Sequence, residues 1–412
     1  MGIILFIIYL ILVFDFILER TLSYLNSTKK KRILPKELED VYDAETYQKS
    51  QDYKRANERF GILAASFSFV LILLMLVFHG FAFADSSIRE YTENPIVLAL
   101  LFFGILSFAS DILGIPFELY GIFVIEEKYG FNKTTPKLYI TDKLKGYLLG
   151  ALIGGGLLAL FIWFYTRVGA NFWIYIWIVF TAFSIFMVMF YSNLIVPLFN
   201  KQKPLDDGEL RQAITEFSER AGFQLKNIYV IDGSKRSTKA NAYFTGLGPK
   251  KRIVLYDTLI AQLSTSEIVA VLAHEVGHYK KKHTYMGLVA SVIQTGLTLF
   301  LLSLFIGNPA MNEALGVFQS KSVIHIGLIV FGILYSPIST NIGLTMNVLS
   351  RKNEYQADRY AASFGYAAEL ISGLKKLSKN NLSNLNPHPA YVFFHYSHPT
   401  LLQRIKALHT DK

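Results

Sequence analysis

The chain has 412 residues, 52% of them hydrophobic and none cysteine, with a formal net charge of +10. So much apolar sequence, gathered into long runs, excludes an ordinary soluble enzyme, and the lack of thiols excludes disulfides and thiolate chemistry. The positive charge would suit nucleic acid, but it is concentrated in alternate segments between the apolar runs, a pattern set by membrane topology.

Gly2 to Leu18 is apolar from the outset. No basic segment precedes it, no small-residue cleavage site follows it, and Asp15 interrupts it, so it predicts a retained membrane helix rather than a signal peptide. Residues 20–60 are highly charged, include Lys29-Lys30-Lys31-Arg32, and predict a solvated loop with helical pieces. Spans two and three are expected at 61–83 and 95–124. The third is longer than a bilayer requires and carries Asp111 and Glu118. Seven residues apart on a helix, these acids point roughly the same way. Facing lipid they would cost on the order of 2.5–3.5 kcal/mol each, so they are expected to face a hydrated cavity or polar groups of neighbouring helices.

A second basic loop at 126–145 precedes spans four and five, at 144–165 and 172–194, and Pro197 returns the chain to water. Residues 198–283 form the first long soluble segment, with a helix over 210–221 and strands over 227–231, 242–245 and 252–256. Gly246-Leu247-Gly248-Pro249 supplies a turn. A helix follows from Ser264, with Glu267 placed for a capping box. It contains His274-Glu275-Val276-Gly277-His278. Residues four apart share a helix face, so both imidazoles can reach one metal ion, while Glu275 can take a proton from water without being a ligand. Chance would place this pattern in roughly 1% of such chains. The hairpin beside the helix is a natural place for an extended peptide to add a strand. His283, after three lysines, reads as a membrane-interface residue. Spans six and seven are expected at 285–306 and 323–349, with His325 near the outer end of the seventh.

The Lys and Arg residues test this division. Segments 20–60, 126–145, 198–283 and 350–412 hold 10, 5, 14 and 9 of them, while the intervening loops hold only Arg89, Arg167 and Lys321. The positive-inside rule then puts the N-terminus outside and both the metal helix and the C-terminus in the cytoplasm. Four regions result: membrane helices 1–197, a soluble segment 198–283 with the metal helix, two spans in 284–349 and a soluble helical segment 350–412.

Two histidines leave a catalytic zinc short of one protein ligand. Glu354 and Asp358 lie four apart just beyond the seventh span, where one could bind the metal and the other orient a ligand imidazole. A charged helix at the membrane surface would have the same composition.

Together, His274-Glu275-Val276-Gly277-His278 and Asn353-Glu354-Tyr355-Gln356-Ala357-Asp358 after a last span resemble the type-I integral-membrane CAAX prenyl proteases. Glu126 to Asn132, Ser234 to Gly246 and His398 to Leu408 extend the resemblance over nearly the whole chain. It implies an α-helical polytopic fold, with seven helices forming a barrel around a water-filled chamber and a small cytoplasmic α+β metalloprotease domain. It implies one zinc held by His274, His278 and Glu354, with Glu275 as general base and Asp358 orienting a ligand. It further implies that Asn241, Ala242 and Tyr243 lie along the substrate and that Asp111 and Glu118 line the chamber. His398 would stabilise the oxyanion, and Arg404 would support it or bind a substrate carboxylate. The expected activity is cleavage near the C-terminus of lipidated or membrane-associated proteins, by a monomer without nucleic acid. The membrane would be the endoplasmic reticulum or a bacterial inner membrane, according to host. A quality-control protease of the HtpX type, expected to be shorter with four spans, and a non-catalytic membrane chaperone or scaffold are the alternatives.

Overall fold

The computed structural model describes residues 2–28, 34–223, 228–246, 252–319 and 323–410. The Lys29 to Arg32 cluster, Asn227, the turn residues 247–249 and Lys321 lie outside them.

Within the described residues, five stretches are helical, long and apolar enough to cross a membrane: Ala44–Val77, Pro95–Tyr129, Pro136–Phe199, His283–Phe305 and Ile324–Ser363. Their starts follow local chemistry. Asn94 caps the second, Thr135 caps the third, and each is followed by a proline at the first helical position, where no N–H is needed. The 64-residue stretch Pro136–Phe199 holds two legs, joined at Gly169, whose φ of 68° is left-handed. Phe164 stacks on Tyr175 across this turn, with ring centroids 5.6 Å apart. The N-terminal apolar run forms the helix Ile3–Thr28, but Asp15, Glu19 and Arg20 crowd its second half, and it falls outside the five. Asp15 accepts a 2.6 Å hydrogen bond from Ser336 on the last span.

Two boundaries differ from expectation. The segment read as a loop at 126–145 is largely helical, because Thr135 and Pro136 start a helix that runs into the fourth apolar run. The last span does not stop near 349: Ile324–Ser363 is one 40-residue helix that carries Glu354 and Asp358 out of the apolar region.

The membrane helices pack most tightly at the end away from the metal helix. Ile8, Leu76, Phe102, Ile162, Ile176, Leu302, Ile326 and Val330, drawn from the starts or ends of seven helical legs, form one buried cluster there. Nearer the soluble half burial is sparser, and Pro136–Leu149 buries none of its residues.

The soluble half is a four-stranded sheet in the order β1-β2-β4-β3, where β1 is Gln202–Pro204, β2 Ile228–Ile231, β3 Ala242–Thr245 and β4 Arg252–Tyr256. β2 and β4 are parallel, and the other pairs are antiparallel. β1 is too short to read from sequence. The metal helix Thr265–Lys280 packs on this sheet, with Ile268, Val269, Leu272 and Val276 buried in the same core as Ile253 and Leu255.

Candidate active site and metal centre

The metal helix starts with the predicted capping box. Ser264 accepts from the Glu267 N–H, and the Glu267 carboxylate accepts from the Ser264 N–H. Ala367–Asn380 locks this end: Ser372 and Lys376 bond the Glu267 carboxylate at 2.7 and 2.8 Å. Burial pushes the Glu267 carboxyl up, but the Lys376, Ser372 and Ser264 bonds outweigh it and bring it down to about 2.

The second histidine reaches the last membrane helix because of Gly277. A Cβ there would meet Tyr360 Cβ at 3.0 Å and Ala357 Cα at 3.1 Å. Glycine therefore lets the two helices approach closely enough for Glu354 to face both imidazoles. His274 Nε2 and His278 Nε2 lie 3.2 Å apart, His278 Nε2 is 3.2 Å from Glu354 Oε1, and His274 Nε2 is 3.4 Å from Glu354 Oε2.

These spacings test the fit to zinc. Zn–N and Zn–O bonds of about 2.0–2.1 Å give a tetrahedron with edges of about 3.3–3.4 Å. His274 Nδ1 lies 2.8 Å from Asp358 Oδ1, which takes its N–H and leaves Nε2 with a lone pair facing the other ligand atoms. Glu354 Oε2 is buried without a hydrogen-bond partner. Burial would push the His274 imidazole down, but its bonds to Asp358 and Glu354 more than offset this and raise it to about 9. The two carboxylates thus favour positive charge on or beside this ring.

Arg404 closes the rear of the site. Its Nε donates to Asp358 Oδ2 at 2.9 Å, and its Nη1 lies 3.7 Å from Glu354 Oε2. It is buried, and its contacts suit support of the metal site. His398 stands in front, largely exposed, with Nε2 3.3 Å from Glu354 Oε1.

A cavity of about 1000 Å³ opens beside these groups, lined in part by Asn241, Ala242, His274, Glu275, His278, Glu354 and His398. β3 is the edge strand on this side. The Tyr256 N–H bonds the Asn241 carbonyl, so by antiparallel alternation the backbone groups of Ala242 and Phe244 point to the open edge. Asn241 Oδ1 accepts from the Ala242 N–H at 2.9 Å. The Tyr243 side chain turns the other way and packs with Val196, Ile231 and Val254.

Asp111 and Glu118 lie elsewhere, both paired with Lys143 at 2.7 Å, and Tyr139 and Tyr147 donate to Glu118 and Asp111 respectively. His325, at the far end, pairs with Asp85 at 2.7 Å. Sequence reading missed His283. It is buried with Nδ1 3.0 Å from His278 Nδ1, not placed as a plain interface residue. An imidazole five residues past the motif was the only available signal.

Fold and site together define a membrane-embedded metallopeptidase. Residues 23–201 match the family described as CAAX prenyl protease N-terminal, five membrane helices, and residues 204–412 match peptidase family M48. The chain belongs to this M48 family and is an integral membrane metalloendopeptidase. It is 38% identical to CAAX prenyl protease 1 of Saccharomyces cerevisiae over 414 residues, covering 94% of this chain and 91% of that protein. It is 32% identical to the CAAX prenyl protease 1 homolog of Homo sapiens over 423 residues, covering 92% and 89%. The crystal structure of S. mikatae Ste24p matches it with a TM-score of 0.93 at 36% identity, over 99% of each chain.

Proposed function

We propose that this chain is a zinc endopeptidase that cleaves near the C-terminus of prenylated CAAX-type or other membrane-associated proteins at the cytoplasmic face of its membrane. The observation that carries this reading is the convergence of His274, His278 and Glu354 at tetrahedral spacing beside an open strand edge. The prenylated substrate class comes from the names of the relatives. The quality-control alternative expects a shorter membrane part, and the match over 23–201 to a family named for CAAX prenyl proteases weighs against it.

We read the five apolar stretches as six spans, Pro136–Phe199 supplying two legs, and the N-terminal helix Ile3–Thr28 as a seventh. A buried cluster at one end and the unburied Pro136–Leu149 at the other suit a barrel around a hydrated chamber. Asp111 and Glu118, joined through Lys143 and bonded by Tyr139 and Tyr147, would form a polar patch of reduced negative charge on its wall.

His274, His278 and Glu354 would hold the zinc, which when bound lowers the pKa of a water and polarises the scissile carbonyl. Asp358 fixes the His274 ring, and Arg404 fixes Asp358. Glu275 takes the proton of the attacking water and passes it to the departing amine. His398 donates to the oxygen that gains charge as the carbonyl becomes tetrahedral. The substrate backbone pairs with the free edge of β3, where Asn241 gives up its bond to the Ala242 N–H.

Glu275→Gln tests the mechanism. It should keep zinc and fold while losing about 10²–10⁴-fold in kcat on a prenylated peptide. Activity within about threefold of the parent would exclude Glu275 as the base.

A further inference from the structure

Asp358 fixes the proton of His274, whereas among the described residues no carboxylate bonds Nδ1 of His278. Its Nδ1 instead faces Nδ1 of His283 at 3.0 Å, and His283 Nε2 lies 3.0 Å from Gln356 Oε1. His283 is only 7% exposed although it begins a membrane span. It reaches His278 because Lys282, between the two helices, takes a left-handed conformation with φ of 61°. For a non-glycine residue this conformation is strained. The chain thus keeps a strained turn that brings one imidazole against the back of another.

The order of protons along this row follows from its two ends. Gln356 Oε1 can only accept, so His283 Nε2 carries a proton and donates it. His283 Nδ1 is then the lone pair, and it accepts from Nδ1–H of His278. His278 Nε2 is left unprotonated and faces His274 and Glu354. The opposite order, with the amide nitrogen donating, would leave a proton on His278 Nε2 and prevent it from binding a metal.

We infer that His283 and Gln356 are positioning residues, a neutral imidazole–amide row that holds His278 in its Nδ1–H form and sets its ring plane toward the metal. The inference rests on the reading of His278 as a ligand. Gln356 lies two residues from Glu354 on the same helix, so a single rigid element carries one ligand and the anchor for another. The two imidazoles are therefore backed differently: His274 by a carboxylate, His278 by uncharged groups. Neutral backing leaves more of the ion's positive charge for water and carbonyl than a second carboxylate would.

The test uses the full-length protein in detergent. Zinc affinity is measured by chelator competition, together with the visible absorption spectrum of the cobalt-substituted protein. His283→Phe keeps the ring volume but removes both nitrogens, and Gln356→Leu removes the acceptor. Each should weaken zinc binding about 10–100-fold and change the cobalt spectrum. Gln356→Glu keeps an acceptor at the same place and should bind zinc within about threefold of the parent. Gln356 is half-buried on a long helix, so its variants report even if His283→Phe fails to fold. Parent-like zinc affinity and cobalt spectra in both His283→Phe and Gln356→Leu would overturn the inference. So would equal losses in Gln356→Glu and Gln356→Leu, since packing rather than the acceptor would then be at work. His278→Ala separates the two readings: unchanged zinc affinity there would remove His278 from the ligand set, whereas a loss there with no effect at 283 or 356 would overturn the row alone.

Discussion

Leu272 on the metal helix is completely buried, whereas Leu152 in the fourth apolar run is 65% exposed. The contrast holds for the regions around them. The soluble half surrounds its metal helix with buried side chains from the sheet and from Ala367–Asn380, while the membrane half leaves Phe6, Leu63 and Phe78 exposed. In water such exposure would be untenable, but lipid removes the penalty and with it most of the pressure for helices to interlock. Precision is concentrated where catalysis needs it, and the long helix Ile324–Ser363 joins the two halves by starting in one and ending in the other.

The largest expected effect lies at the join. Glu354→Ala removes the proposed ligand carried by the membrane helix and should leave zinc largely unbound at concentrations that saturate the parent. Metal analysis after gel filtration reads this directly, and full occupancy would mean that the soluble half holds the ion without the membrane half.

Core substitutions measure the contrast itself. Leu272→Ala should cost about 2–5 kcal/mol of stability, and Leu152→Ala under about 0.5. Thermal melts in detergent should separate the two clearly. Similar losses would show that the fourth run packs against protein rather than lipid.

The substrate edge comes next. Ala242→Pro deletes an N–H at the open edge of β3 without breaking the bonds to β4, and proline is tolerated at sheet edges. It should lower kcat/KM by about tenfold while zinc binding stays unchanged, because strand addition loses a donor. Parent-like kcat/KM in Ala242→Pro would place the peptide elsewhere.

The smallest effect depends on pH. The Glu267 carboxyl is brought down to about 2 from its usual value near 4.5 by Lys376, Ser372 and Ser264. A group with a depressed pKa stabilises the fold fully above its unfolded value and loses that contribution as pH falls through the folded one. Glu267→Gln should therefore cost about 1–3 kcal/mol at pH 7, and the gap to the parent should close between about pH 4.5 and 2. A gap independent of pH would assign the loss to packing.

The sequence by itself determined the elements whose signals are local. Strands 242–245 and 252–256 fall as expected because alternation and turn chemistry are written in adjacent residues. The metal helix and its capping box follow from Ser264, Glu267 and the apolar spacing. The four-residue interval puts His274 and His278 on one face whatever the rest of the chain does. Glu354 and Asp358 stood out as acids but shared their composition with any charged surface helix; only the resemblance separated their roles.

What tertiary structure decided was where distant pieces meet. Only packing paired Asp15 of the first helix with Ser336 on the last, and hydropathy did not show that Thr135 and Pro136 begin a helix inside a basic loop. Glycine at 277 has no meaning until the last membrane helix is laid against it at Ala357 and Tyr360. His283 is the clearest case. On an unbroken helix it would lie about 140° round from His278, since each residue turns the helix by about 100°. The left-handed turn at Lys282 breaks that geometry and Gln356, 73 positions further along, supplies the far end of the row. Helical periodicity carries information over a few residues, whereas a hydrogen bond across two helices exists only once both have been packed.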